Sequence, residues 1–172
     1  ETVIRYHLMN QINLNNREYD VIIVGAGFSG LYQLICLRDQ LGMNCLVVET
    51  GDDVGGTWYW NRYPGARCDT ESHAYSYYFS DELLKEWTWS ERYPGHAEIR
   101  RYMNFVADKF DLKKDILFNH KVTSAQYNED KICWEITTNN KINFRSKFLI
   151  TAVGCLSNAC LLYTSPSPRD EL

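Results

Sequence analysis

Residues 20–30 read Asp20-Val21-Ile22-Ile23-Val24-Gly25-Ala26-Gly27-Phe28-Ser29-Gly30, and the fold turns on how they are read. From Tyr19 to Val24 a compact β-branched run stops at a glycine, the pattern of a buried parallel strand that ends in a tight turn. From Phe28 to Leu41 apolar residues return at Leu31, Leu34, Ile35 and Leu37, which is helical spacing. A second apolar run, Cys45–Val48, reaches the acidic Glu49 and closes a β-α-β unit of about 30 residues. Gly25, Gly27 and Gly30 match G-x-G-x-x-G in the strand-to-helix context that gives this motif its meaning. The first glycine allows the tight turn, the second lets backbone approach a pyrophosphate, and the third lets helix pack closely on strand. The helix start offers free N–H groups to the phosphates. Glu49 lies 19 residues past Gly30, where a carboxylate accepts hydrogen bonds from ribose hydroxyls and repels a 2′-phosphate. The expected ligand is therefore FAD or NAD rather than NADP, and this spacing does not separate the two.

Working outward, Gly51–Ser80 carries Gly, Pro and many aromatics without a period, so a long ordered loop is expected. In His96–Asp111, Ile99, Tyr102, Met103, Val106 and Phe110 share one helical face. Ile116–Tyr127, Cys133–Thr138 and Ile142–Phe144 read as short antiparallel strands, and Phe148–Val153 as a returning parallel strand. The expected fold class is α/β: a three-layer Rossmann-like dinucleotide fold, incomplete, with a small antiparallel β excursion.

The 172 residues are 45% hydrophobic, enough for a sizeable core, and carry a net charge of -4 with a pI near 5.6. No basic field would concentrate nucleic acid or anionic lipid. The longest apolar runs fall far short of the roughly 20 residues that span a bilayer. Six scattered cysteines form no C-x-x-C pair or zinc array, so they read as free thiols of a reducing, cytoplasmic compartment. None of His7, His73, His96 and His120 has a companion suited to metal or hydrolytic chemistry.

The stretch Gly55-Gly56-Thr57-Trp58-Tyr59-Trp60-Asn61-Arg62-Tyr63-Pro64-Gly65-Ala66-Arg67-Cys68-Asp69 is what separates FAD from NAD. It resembles the G-G-x-W-x-x-x-x-[FY]-P-G-x-x-x-D signature of Baeyer–Villiger flavoprotein monooxygenases at every fixed position. Thr70–Phe79 and the helix Ala97–Leu112 resemble that family too, so the likeness runs from about Asp20 to Ser157. It implies an FAD- and NADPH-dependent oxidoreductase that uses O₂ to convert a small ketone into an ester or lactone. The implied cofactor-binding residues are Gly25, Ala26, Gly27, Phe28, Ser29, Gly30, Glu49, Gly56, Thr57, Trp58, Trp60, Arg67, Cys68, Asp69, Tyr75 and Val122. Among these, Trp58 and Trp60, with Tyr59, are expected to wall the flavin from water. The resemblance also implies that Arg67 and Cys68 border the nicotinamide's approach, that Tyr75 neighbours the flavin and that the Val122 backbone meets the adenine. Asp69 is the implied catalytic carboxylate, pairing with a downstream arginine that stabilises the oxygenated flavin.

That arginine, the second G-x-G-x-x-G for NADPH and the family's F-x-G-x-x-x-H-x-x-x-W signature do not occur in these residues, so the chain alone is expected to hold FAD without turning over. The alternatives are a sister flavin monooxygenase oxidising nitrogen or sulfur, against which the Tyr63-to-Asp69 stretch argues, and a non-catalytic flavin-binding module. At the ends, residues 1–18 are expected to be an extension lacking the native start. Residues 19–157 would be the partial FAD-binding domain. Residues 160–170, CLLYTSPSPRD, resemble a translated transposase sequencing adaptor, so 158–172 read as a non-native tail. The closing Arg169-Asp170-Glu171-Leu172 looks like an endoplasmic-reticulum retention signal, a reading disfavoured beside adaptor-like residues.

Overall fold

The computed structural model describes residues 15–156, and the readings for 1–14 and the tail lie outside them. Six strands form one mixed sheet in the order β3-β2-β1-β6-β5-β4. They are β1 (Arg17–Val24), β2 (Cys45–Val48), β3 (Ile116–Leu117), β4 (Val122–Asn128), β5 (Cys133–Thr138) and β6 (Asn143–Thr151). The helices are α1 (Phe28–Leu34), the single turn α2 (Thr57–Trp60), α3 (Asp81–Glu86) and α4 (His96–Lys109).

β1 runs parallel to both β2 and β6, which puts its apolar run at the centre of the sheet with both faces covered. Val21 and Ile23 face α1 and α4 in a core with Leu31, Leu34, Val47, Ile99, Tyr102, Met103 and Val106. Ile22, with Leu46 and Val48, faces the other way and meets Ile136, Ile142 and Phe144 of the antiparallel part. Period-2 alternation in the strands thus gives the sheet two apolar faces, one under the helices and one packed on Ile136, Ile142 and Phe144.

Three elements differ from expectation. Ile116–Tyr127 is not one strand. β3 pairs parallel with β2 at the sheet edge, and after a break the chain starts again as β4, antiparallel to β5. The two strands expected at Ile142–Phe144 and Phe148–Val153 are one, β6, antiparallel to β5 at its start and parallel to β1 along most of its length. Lys147 interrupts the apolar pattern without interrupting the ladder, because its side chain is exposed and pairs with Asp20 at 2.7 Å.

The helix expected from Phe28 to Leu41 is α-helical only to Leu34 and continues as a π-helix over Ile35–Gln40. The wider turn, with Leu41 N donating to Cys36 O at 3.2 Å, accompanies a long reach by Arg38. Its guanidinium donates to Phe110 O at 2.7 Å and Asp111 O at 2.9 Å, and pairs with Asp115 at 2.8 Å. One side chain of the first helix thereby satisfies carbonyls at the C-terminus of α4 that helix geometry leaves open.

Candidate functional site

The site is built where β1 and β2 end. Gly25 takes a left-handed φ of 105° and donates to Val48 O at 2.9 Å, and a Cβ there would meet Ala152 O at 2.6 Å. A Cβ on Gly30 would sit 1.8 Å from Gly25 O, so this glycine is fixed by the closeness of helix to strand. Gly27 caps α1 with no side chain closing its first turn. Opposite it, Gly56 has φ 52° and caps α2, and a Cβ on Gly56 would come within 2.8 Å of Gly27 Cα. Two glycine turns from distant parts of the sequence therefore touch backbone to backbone. Gly55 N donates to Ala26 O at 3.1 Å and ties them together.

Glu49 is 5% exposed, and its two carboxylate oxygens accept from Ala26 N and Gly51 N, each at 2.7 Å. It clamps the glycine turn to the end of β2. A carboxylate has about four lone-pair sites, so each oxygen retains capacity for a further donor. His120 N donates to Glu49 O at 2.9 Å, which brings the β3–β4 connection, and Val122 just beyond it, to the same end of the sheet. Val122 is half-buried and packs on the second core.

The aromatic residues of α2 separate. Trp58 is buried and donates its indole N–H to Tyr75 Oη at 2.9 Å. Tyr75 in turn packs edge-on against Phe28, ring centroids 4.9 Å apart. Burial pushes the Tyr75 phenol up, and the indole bond only partly offsets this. Tyr59 is buried on the opposite side, donating to Asp52 at 2.7 Å with the Arg62 guanidinium 4.3 Å above its ring. Trp60 is 58% exposed. Of the three expected wall residues, only Trp58 joins Phe28 and Tyr75.

Arg67 is exposed and pairs with Glu91 at 2.7 Å, while Cys68 beside it is buried. Asp69 is exposed, close enough to Tyr75 to act on its phenol, and its side chain makes no hydrogen bond or ion pair among the described residues. Thr57 and Ser29 lie at the starts of their helices, Thr57 half-buried and Ser29 exposed.

Sequence reading missed the anchor beneath this site. Asp53 accepts from Arg100 at 2.9 Å and Asn104 at 3.0 Å, fixing the glycine loop to α4. Burial alone would raise the Asp53 carboxyl, but these bonds and the Val54 N–H outweigh it and hold it below the usual range. The adjacent acids Asp52 and Asp53 just before Gly55-Gly56 were the available signal.

A family model described as an NAD(P)-binding Rossmann-like domain matches residues 23–87. An acetone monooxygenase (methyl acetate-forming) of Gordonia sp. strain TY-5 is 46% identical over 80% of this chain and 26% of its own length. A Baeyer–Villiger monooxygenase of Pseudooceanicola batsensis is 45% identical over 81% and 26%. A phenazine N-monooxygenase of Lysobacter antibioticus is 40% identical over 85% and 27%. Among solved structures, an oxidised steroid monooxygenase bound to NADP superposes with a TM-score of 0.80 at 49% identity, over 84% of this chain and 28% of the other. The chain spans about a quarter of the length of the curated relatives it matches. Over about four-fifths of its length, the chain is similar in sequence to these monooxygenases, a Baeyer–Villiger monooxygenase among them.

Proposed function

We propose that the chain holds FAD across its two glycine turns and forms the FAD-binding part of an NADPH-dependent monooxygenase that converts a ketone into an ester or lactone. The observation that carries this reading is the contact of Gly27 with Gly56, a cradle that any Cβ would fill. Gly25, Ala26, Gly27, Phe28, Ser29 and Gly30 would take the pyrophosphate. Glu49 and the Val122 backbone would take the adenosine. Gly56, Thr57, Trp58, Trp60, Arg67, Cys68, Asp69 and Tyr75 would border the flavin. Bound there, the flavin supplies the redox chemistry; the chain's own residues bind, orient and exclude water. Trp58, Phe28 and Tyr75 form a packed apolar side, and the exposed Asp69 carboxylate is open to a cationic partner. The ketone, O₂ and NADPH belong to a longer protein that carries a second dinucleotide fold.

Calorimetric titration of the chain tests the binding: FAD binds, NADP does not, and Glu49→Arg abolishes FAD binding. Binding of NADP without FAD overturns the reading. In a complete protein, Asp69→Ala keeps its FAD yet loses about a hundredfold in oxygenation, the scale of losing one preorganised charge contact. Likeness to the phenazine enzyme favours a second reading, oxidation of a ring nitrogen. Product analysis with a ketone and an N-heteroarene separates ester from N-oxide.

A further inference from the structure

The helix-side core contains a run of rings that begins at the proposed flavin site and ends at solvent. Trp58 and Tyr75 are joined by the 2.9 Å indole bond, their centroids 5.8 Å apart. Phe28 bridges Tyr75 at 4.9 Å and Tyr77 at 5.1 Å. Tyr77 stacks on Tyr32 at 6.1 Å with their planes 22° apart. Tyr32 is 39% exposed and, with Tyr77, Tyr78 and Phe79, lines an open cleft of about 540 Å³. Packing explains why rings fill this space but does not call for phenols, since each buried hydroxyl needs a partner that a phenylalanine would not. Tyr77 finds one by donating to Phe28 O at 2.5 Å.

We propose that Trp58, Tyr75, Tyr77 and Tyr32 form a one-electron conduit that carries an oxidising equivalent from the flavin site to solvent. The proposal rests on the flavin reading for the place where that equivalent arises. Indole and phenol give up one electron far more readily than benzene, so Phe28 serves as a bridge and the other four as stations. Tunnelling falls off exponentially with separation, and a series of contacts between neighbouring rings outpaces a single jump across the core. With FAD bound and excited by light, Trp58 or Tyr75 would give up the first electron to it. Tyr77 refills that station, and Tyr32 refills Tyr77.

The charge comes to rest at Tyr32 because oxidised phenols must shed a proton. Tyr77 is buried, which pushes its phenol up, and its hydroxyl faces only a carbonyl, which holds the proton but cannot accept it. Tyr32 meets water, and although the Cys36 thiol one turn along pushes its phenol up, the hydroxyl is open to solvent that can take the proton. It loses its proton to solvent, and the neutral oxyl takes one electron and one proton from a solution reductant such as ascorbate. In sum, one ascorbate electron has reached the flavin and no protein bond has changed.

Flash photolysis of the FAD-loaded chain with and without ascorbate tests this. Bound-flavin absorbance is read first, then the transient absorbance of tyrosyl radical. In the parent chain the radical decays in proportion to ascorbate. Tyr32→Phe, a surface change that leaves flavin content intact, slows that decay by at least an order of magnitude. Tyr77→Phe prevents the Tyr32 radical from forming, while Tyr63→Phe, at a still more exposed tyrosine off the path, changes nothing. Bound FAD with decay unaltered in both Tyr32→Phe and Tyr77→Phe overturns the conduit alone. Absence of bound FAD overturns the flavin reading and the conduit with it.

Discussion

The turn at Gly25–Gly30 and the loop from Asn61 to Pro94 border the same site but are held by different physics. The turn is fixed by backbone closeness: a Cβ at Gly30 or Gly56 has nowhere to go, and the one side chain involved, Glu49, serves two main-chain N–H groups. The loop is fixed by side chains. Trp89 donates to Ser76 at 2.9 Å, Glu98 of α4 accepts from Ser90 N at 2.8 Å, and Tyr77 N donates to Tyr102 Oη at 2.8 Å. Steric closeness tolerates no substitution, whereas a network of side chains tolerates those that keep its volume.

Gly30→Ala gives the largest expected effect, a loss of more than about 4 kcal/mol or failure to fold, because backbone at 1.8 Å cannot step aside. Urea denaturation followed by circular dichroism measures it, and a mild loss would break the contrast at its strongest point. Next comes Glu49→Ala, which strands two buried N–H donors and costs about 2–5 kcal/mol. Glu49→Gln, which keeps one acceptor, costs about half as much in the same assay. Trp89→Phe, in the loop, removes a hydrogen bond while keeping most of the ring volume, and loses about 1 kcal/mol. Equal losses from Trp89→Phe and Glu49→Ala would erase the distinction.

The smallest effect is electrostatic. The Asp53 carboxyl is held below its ordinary value near 4, so the folded state binds this proton less readily than the unfolded chain. Its contribution is fully present above about pH 4 and is lost as pH falls through the lowered value. Both partners are partly exposed, which limits the gain to under about 1 kcal/mol. Stability measured from pH 6 downward through the acid range falls slightly less steeply in Asp53→Asn than in the parent.

The same contrast explains what could be read from the sequence. Steric constraints leave spacings, so Gly25, Gly27, Gly30 and Glu49 were legible before any coordinates. Side-chain networks leave only composition, so nothing in Trp58-Tyr59-Trp60 told which ring turns inward. The helix α3 left a signal that went unread: Ser80 precedes Asp81 and Glu82, and its hydroxyl accepts from Leu83 N at 3.3 Å. The π-helical turn and the union of two apparent strands in β6 left none, because both go with partners about 70 to 130 positions away, Phe110 for Arg38 and β1 for β6.

That doubly paired strand also orders events in time. β4, β5 and β6 are neighbours in sequence and can zip together at little loop-closure cost, whereas pairing Arg17 with Phe144 must close the long loop between them. On loop-closure cost alone, the hairpins are expected to assemble first and to carry β6 to β1 afterwards. In that order Ala152 reaches Gly25 only after β6 has docked, so the glycine turn is expected to be among the last places to acquire its native neighbours.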